Sequence, residues 1–357
     1  MKKLLVLTTA LVGFASAAHA DLTVMSWGGA YGEAQTEAFV KPFIAATGKP
    51  TVMVDSDNPA TSIKAMVEAG NVTVDVANIE YADAIRLCDE GVLEPIDINS
   101  LPAGADGVAA SEDFLPGAVT ECGVSTDIWS NVFAYDTTKF PADAAPKTAA
   151  DFFDLEKFPG KRGLKKGAKA VLELALLGDG VPAAEVYSVL STPEGVDRAF
   201  AKLDTIKSEV VWWEAGAQPP QLLADGEVVM ATAYNGRIFA AAMNEGKPFQ
   251  IVWDGQIYEN EMFVVPKGAP NMADAMEFVA FATSTEGLRA SAQQISYGPA
   301  RKSSMKDPII FKDGKTEMAP HLPTAPENMT NALETSAEFW VDHDAELNER
   351  FQAWLSQ

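Results

Sequence analysis

Along nearly the whole chain, short apolar runs rich in β-branched residues alternate with stretches whose apolar positions recur at helical spacing. LTVMSW predicts a first strand, which Gly28-Gly29 breaks. AYGEAQTEAFVKPFIAATG then places Ala34, Ala38, Phe39, Phe43 and Ala46 on one helical face and stops at Gly48. PTVMVDS predicts a second strand, ATSIKAMVEAG a helix, and VDVANI a third strand feeding the helix ADAIRLCDEG. This βαβαβα opening predicts an α/β fold with mainly parallel sheets.

Further on, SNVFAYD predicts a strand ended by a turn, with a new helical section from about Thr148. GKRGLKKG reads as a basic loop in which Arg162, Lys165 and Lys166 are solvated, AVLELALLGDG as a helix and GEVVMATAYNG as a strand and turn. PFQIVWDG and IYENEMFVVPKG read as two separate strands, and MADAMEFVAFATSTEGLRASAQQI as helices. A second α/β lobe that hands the chain back to the first is expected. Residues 21–133 form lobe 1, with 261–304 returning to it, and 134–260 form lobe 2, with 305–357 returning to it. In such sheets ligands bind beyond the carboxyl ends of strands, so residues just after strands are the first candidates for chemistry.

The first twenty residues change the picture most. Lys2 and Lys3, an apolar run too short to anchor in a bilayer, and Ala18-His19-Ala20 have the order of a secretory signal peptide cleaved after Ala20. The mature protein is therefore expected in the periplasm, beginning at Asp21. The 47% hydrophobic content and 357 residues suffice for two medium cores. The net charge of −23 argues against nucleic acid or an anionic lipid surface as partner, and either suits a cationic ligand or only confers solubility. Cys88 and Cys122 are the only cysteines, and in an exported chain they are expected to be bridged. After cleavage only His321 and His343 remain as histidines, so neither a zinc site nor a Ser-His-Asp triad has material. No metal or cofactor is expected.

Two strand ends carry the clearest candidate chemistry. Trp27-Gly28-Gly29 combines an indole face with glycines that let a ligand approach backbone, or is simply a tight βα turn with a packing tryptophan. Tyr234-Asn235-Gly236-Arg237 offers an aromatic wall and an arginine fork able to grip a carboxylate, unless Arg237 is an ordinary surface residue. Glu259 and Glu261, two residues apart on a predicted strand, share one face and could hold an ammonium group or form an exposed polar edge. A carboxylate pair also admits an exported hydrolase, though nothing else nearby supports hydrolytic chemistry. Tyr81, Trp129, Trp213 with Gln218, and Tyr297 complete the candidates, though for each taken alone ordinary packing is the better reading.

Taken in order, LTVMSWGGAYGEA, VDVANIEYADAIRLCDEGVLEPID, DIWSNVFAYDTTKFP, WWEAGAQPPQLLADGEVVMATAYNGR, EMFVVPKGAPN and SYGPARKSS resemble the periplasmic substrate-binding proteins of ABC importers. The group resembled contains spermidine/putrescine-binding proteins. The resemblance implies two α/β lobes joined by crossing strands, closing as a monomer on a small amine-bearing solute that passes to permease subunits, with no bond made or broken. Trp27, Tyr234, Glu261 and Tyr297 fall where polyamine binders place pocket residues. Glu259 stands where they have a tryptophan, and KKGAKAV lacks their acidic pair. Arg237 resembles instead the γ-aminobutyrate-type binders, in which an arginine takes a carboxylate and an acidic residue the ammonium. A polyamine and an ω-amino acid both remain open at this point.

Overall fold

The apolar run LTVMS forms strand β1 (Leu22–Ser26) because its residues are buried on both faces, as a central parallel strand requires. The structure, a computed structural model, describes residues 21–357, so the expected signal peptide and its cleavage site lie outside the described residues. The other strands are β2 (Thr51–Asp55), β3 (Val76–Glu80), β4 (Gly123–Asp136), β5 (Arg162–Lys165), β6 (Val210–Trp213), β7 (Met230–Tyr234), β8 (Phe249–Val264) and β9 (Leu333–Glu334). They run in the order β2-β1-β3-β8-β4-β7-β5-β6, with β9 beside β8. β2, β1 and β3 are parallel, as are β7, β5 and β6. Between these two parallel halves, β8 and β4 run antiparallel as a long central pair.

Helices cover both faces of the first half. Phe39, Phe43 and Phe278 pack with Val24 and Phe263 on one side, while Ile63 and Leu87 pack with Ile79 and Met262 on the other. The second half has its own core around Phe133, Phe152, Leu172 and Leu176. The helix Ala337–Leu355 returns to that core through Trp340 and Phe351, each almost wholly buried. Fully burying one such side chain is worth roughly 1.5–3 kcal/mol, so this last helix is a structural part of the second half. No helix among the described residues is long and apolar enough to cross a membrane.

The strands differ from the sequence expectation at two places. PFQIVWDG and IYENEMFVVPKG are not separate strands but one strand of 16 residues, β8. The turn suggested by Trp253-Asp254-Gly255 is a bulge: Phe133 pairs with Val252 and Asn131 with Ile257, so the intervening residues loop out, with Gly255 at φ 73°. GKRGLKKG is likewise not a solvated loop, since Arg162–Lys165 is strand β5. Arg162 is fully buried and donates to the carbonyls of Phe152, Asp154, Phe158 and Gly160, which explains how a guanidinium is tolerated there. Of the three basic residues, Lys166 alone keeps a largely exposed side chain, paired with Glu214.

Cys88, near the end of the helix Tyr81–Asp89, is bonded to Cys122 just ahead of β4, with Cα atoms 5.8 Å apart. Thiol titration of the denatured, unreduced protein should therefore find no free thiol. Two reactive thiols would show that the helix and β4 are not stapled in the exported molecule.

Candidate ligand-binding site

Strand register assembles the site. Glu80 on β3 pairs with Glu261 on β8, which in turn pairs with Asp127 on β4. Directly opposed residues share a face, so three carboxyl groups lie side by side across three adjacent strands. Two residues along, Glu259 pairs with Trp129. Asp127 and Glu261 are buried, and neither forms an ion pair among the described residues. Burial pushes the Asp127 carboxyl up to about 7, against hydrogen bonds from Tyr31 and Thr126. Burial, then the neighbouring Asp127 and Glu80, push Glu261 well above the usual carboxylate range. Trp27 Nε1 donates to Glu261 Oε1 at 2.8 Å, and Tyr31 Oη donates to Asp127 Oδ2 at 2.6 Å.

Aromatic rings close around these acids. An inner chamber of about 30 Å³ is lined by Trp27, Tyr31, Trp129, Tyr234 and Tyr297, with Glu80, Arg237 and Glu261 as its charged groups. Tyr234 is wedged edge-on between Trp129 and Trp213, at 5.1 and 5.7 Å between ring centres, and Tyr31 meets Tyr297 edge-on at 5.2 Å. The chamber shares Trp27, Glu80, Tyr234 and Arg237 with an outer cleft of about 660 Å³. Residues from both halves of the sheet line that cleft, among them Asp55 and Asp83 from one and Lys165, Glu214 and Asp344 from the other.

The Tyr234–Arg237 turn is fixed by Asn235, whose Oδ1 accepts from Ser130 N and whose Nδ2 donates to Ser296 O. A side chain at Gly236 would strike the Tyr297 ring, 2.4 Å from the Cβ position. Arg237, two residues into the helix Asn235–Glu245, is buried rather than on the surface. Its Nη2 donates to Trp27 O, its Nε has no partner, and it pairs with no carboxylate among the described residues. Gly28 and Gly29 both have left-handed backbone, φ 63° and 56°. A Cβ on Gly29 would lie 2.7 Å from Arg237 Nη1, so this turn requires glycine for both conformation and close approach.

The candidates read from sequence separate in three dimensions. Trp27, Trp129, Tyr234, Arg237, Glu261 and Tyr297 converge on the inner chamber, and Gly28 and Gly29 line the cleft outside it. Trp213 stands one layer back, buried behind Tyr234 with Nε1 toward Thr232. Gln218 faces neither cavity; its Oε1 accepts from Glu214 N and Ala215 N and caps the turn before its own helix. Tyr81 opens the helix Tyr81–Asp89 and packs between cores, outside both cavities. Glu259 lines neither cavity and is taken up by Lys169, whose Nζ is 2.9 Å from Glu259 Oε2 and 2.7 Å from Glu80 Oε2. Glu259 and Glu261 are therefore not a matched acid pair. Sequence reading missed Tyr31, Glu80, Asp127 and Lys169. The signal for Asp127 was a lone acid inside an apolar β run, and for Glu80 an acid at a strand end; Lys169 had none.

A mixed α/β sheet in two halves, with an aromatic chamber and a wide cleft at their junction, is the architecture of a solute-binding protein. The chain belongs to the bacterial extracellular solute-binding protein family, whose model matches residues 38–324. It is 48% identical over 349 residues to the γ-aminobutyric acid-binding protein of Pseudomonas aeruginosa, covering 97% of this chain and 95% of that one. Among solved structures it is similar to the Atu4243-GABA receptor, at 34% identity and TM-score 0.78 over 94% of this chain and 98% of that one. It is also similar to an ABC transporter substrate-binding protein from Bradyrhizobium japonicum USDA 110, at 32% identity and TM-score 0.82 over 94% and 99%. The protein is thus an exported solute-binding component of an ABC transporter and works with permease subunits. It is not an enzyme, which removes the hydrolase alternative.

Proposed function

We propose that this protein binds a small ω-amino acid of the γ-aminobutyrate type in the periplasm, after cleavage at Ala20, and delivers it as a monomer to its permease. The observation that carries this is a complementary set of unmet groups lining one chamber or directly behind its wall. Among the described residues, Arg237 Nε and Trp129 Nε1 are buried donors without acceptors, while Asp127 Oδ1 is a buried acceptor without a donor, beside a Glu261 that pairs with no cation. Buried polar groups left unpaired cost stability, so such orphans mark where a partner belongs. A carboxylate at Arg237 and an ammonium toward Glu261 satisfy both sides at once. Trp27, Tyr234 and Tyr297 then wall the methylene chain and add cation–π attraction to the ammonium. The γ-aminobutyrate-binding relatives support the same ligand class.

A polyamine of the spermidine/putrescine type gains from the aromatic walls and acids but meets a buried guanidinium, which repels a dication. In this reading residues 21–133 with 261–304, and 134–260 with 305–357, move as two lobes that pivot where β4 and β8 cross between them, near Phe133 and Glu259. Calorimetry should show γ-aminobutyrate binding one to one, raising the melting temperature, because it binds only the native state. Small-angle scattering should show a more compact particle with ligand than without. Failure of γ-aminobutyrate to bind refolded, ligand-stripped protein would overturn the assignment.

A further inference from the structure

We propose that Lys169 is a tethered ammonium that fills a second cation seat at the wall of the cleft and thereby restricts the site to ligands with a single cationic end. The seat consists of Glu80 and Glu259, both in contact with Lys169 Nζ, and all three side chains are mostly buried. Glu259 lies two residues from Glu261 on the same face of β8, roughly 7 Å along the strand. An extended four-carbon diamine spans roughly 6 Å between nitrogens at bond lengths of about 1.5 Å. With one nitrogen at Glu261, its other nitrogen would therefore reach the Glu80–Glu259 pair. Lys169 already stands there, and Lys165 approaches Glu80 to 4.0 Å from the same side.

The loop is built to hold that ammonium in place. Ala170, next in the chain, is the one non-glycine with left-handed backbone among the described residues, at φ 67°. Strain of this kind persists only where the surroundings impose it. Ala168 N donates to Asn348 Oδ1 on the helix Ala337–Leu355, pinning the residue just ahead of Lys169. Burial would lower the lysine's basicity, but Glu259 and Glu80 raise it well above the ordinary value, so it stays charged. Burial would also raise Glu80, yet Lys169 and Lys165 hold it down at about 2. At this seat a second ammonium entering from solvent would face two fixed cations and two carboxylates already paired with them.

This inference rests on the ω-amino-acid reading, and its test keeps the two apart. Putrescine and γ-aminobutyrate are titrated calorimetrically into wild type, K169A, K169Q and K169R, with melting curves to confirm folding. γ-Aminobutyrate binding by wild type tests the ligand class. For Lys169, putrescine affinity should rise by at least about tenfold in K169A and K169Q, where a like charge is removed and a dicarboxylate seat exposed, and stay at the wild-type level in K169R. K169Q keeps a hydrogen-bond donor between the two acids and carries the test if the alanine variant does not fold. Putrescine affinity unchanged in the neutral variants overturns the inference, as does tight putrescine binding by wild type, whatever the outcome with γ-aminobutyrate.

Discussion

Replacing Arg237 with alanine is expected to lower γ-aminobutyrate affinity by roughly thirtyfold to several thousandfold, the equivalent of about 2–5 kcal/mol for truncating one side of a desolvated charge pair. The expectation follows from its surroundings. The guanidinium is buried, hydrogen-bonds to the Trp27 carbonyl, and pairs with no carboxylate among the described residues. The ligand's carboxylate would be its first full counter-charge, and without the arginine that carboxylate would be desolvated for nothing. Arg237→Lys should recover only part of the loss, because an ammonium cannot reproduce the two-pronged fork. Loss of the Trp27 contact alone would weaken every ligand equally. Putrescine is therefore the control: its binding should be unchanged or stronger in Arg237→Ala. Equal loss for both ligands would reduce Arg237 to a scaffold for the Trp27 turn.

Glu261→Gln is expected to abolish most γ-aminobutyrate binding while making the ligand-free protein more stable at alkaline pH. The binding loss is the mirror of the arginine case, since the ammonium loses its counter-charge, again on the order of 2–5 kcal/mol. The stability gain comes from the raised pKa of Glu261, caused by burial and then by Asp127 and Glu80. A carboxyl that holds its proton more tightly folded than unfolded gives its full benefit below the unfolded pKa of about 4.3, and that benefit fades as pH rises through the folded pKa. Wild type and variant should therefore melt alike near pH 4, and the variant should melt higher at pH 8. Glutamine can still accept from Trp27 Nε1, so the chamber wall is retained.

The same linkage makes wild-type binding pH-dependent. An ammonium held by Glu261 would need that carboxyl ionised, and burial raises its pKa, so affinity should climb as pH rises above the usual carboxylate range, with protons released on binding and detected as heats that vary with the buffer. Affinity flat across that rise in pH, with no proton release, would show that Glu261 is not the ammonium's partner. Binding is thus what stabilises an arrangement that the ligand-free chain holds at some cost, a familiar trade of stability for function.

The sequence by itself determined the class of protein. Strand and helix periods around Val24, Val76 and Phe263 follow from local burial patterns, and those patterns survive intact in the folded sheet. Trp27, Tyr234, Arg237 and Glu261 were legible as candidates because aromatic and charged residues at strand ends or core margins stand out against their neighbours. Whether each one faces a ligand was not legible. That depends on which charges neutralise one another, and the partners come from remote parts of the chain. Trp27 meets Glu261 across 234 residues, Tyr31 meets Asp127 across 96, and Lys169 meets Glu80 across 89. Glu259 and Glu261 look equivalent on one strand, yet a lysine from the loop after β5 claims the first, while the second pairs with no cation among the described residues. Strand register and loop closure decided this, because the strength of a buried charge is set by distance and dielectric in three dimensions, neither of which local spacing encodes.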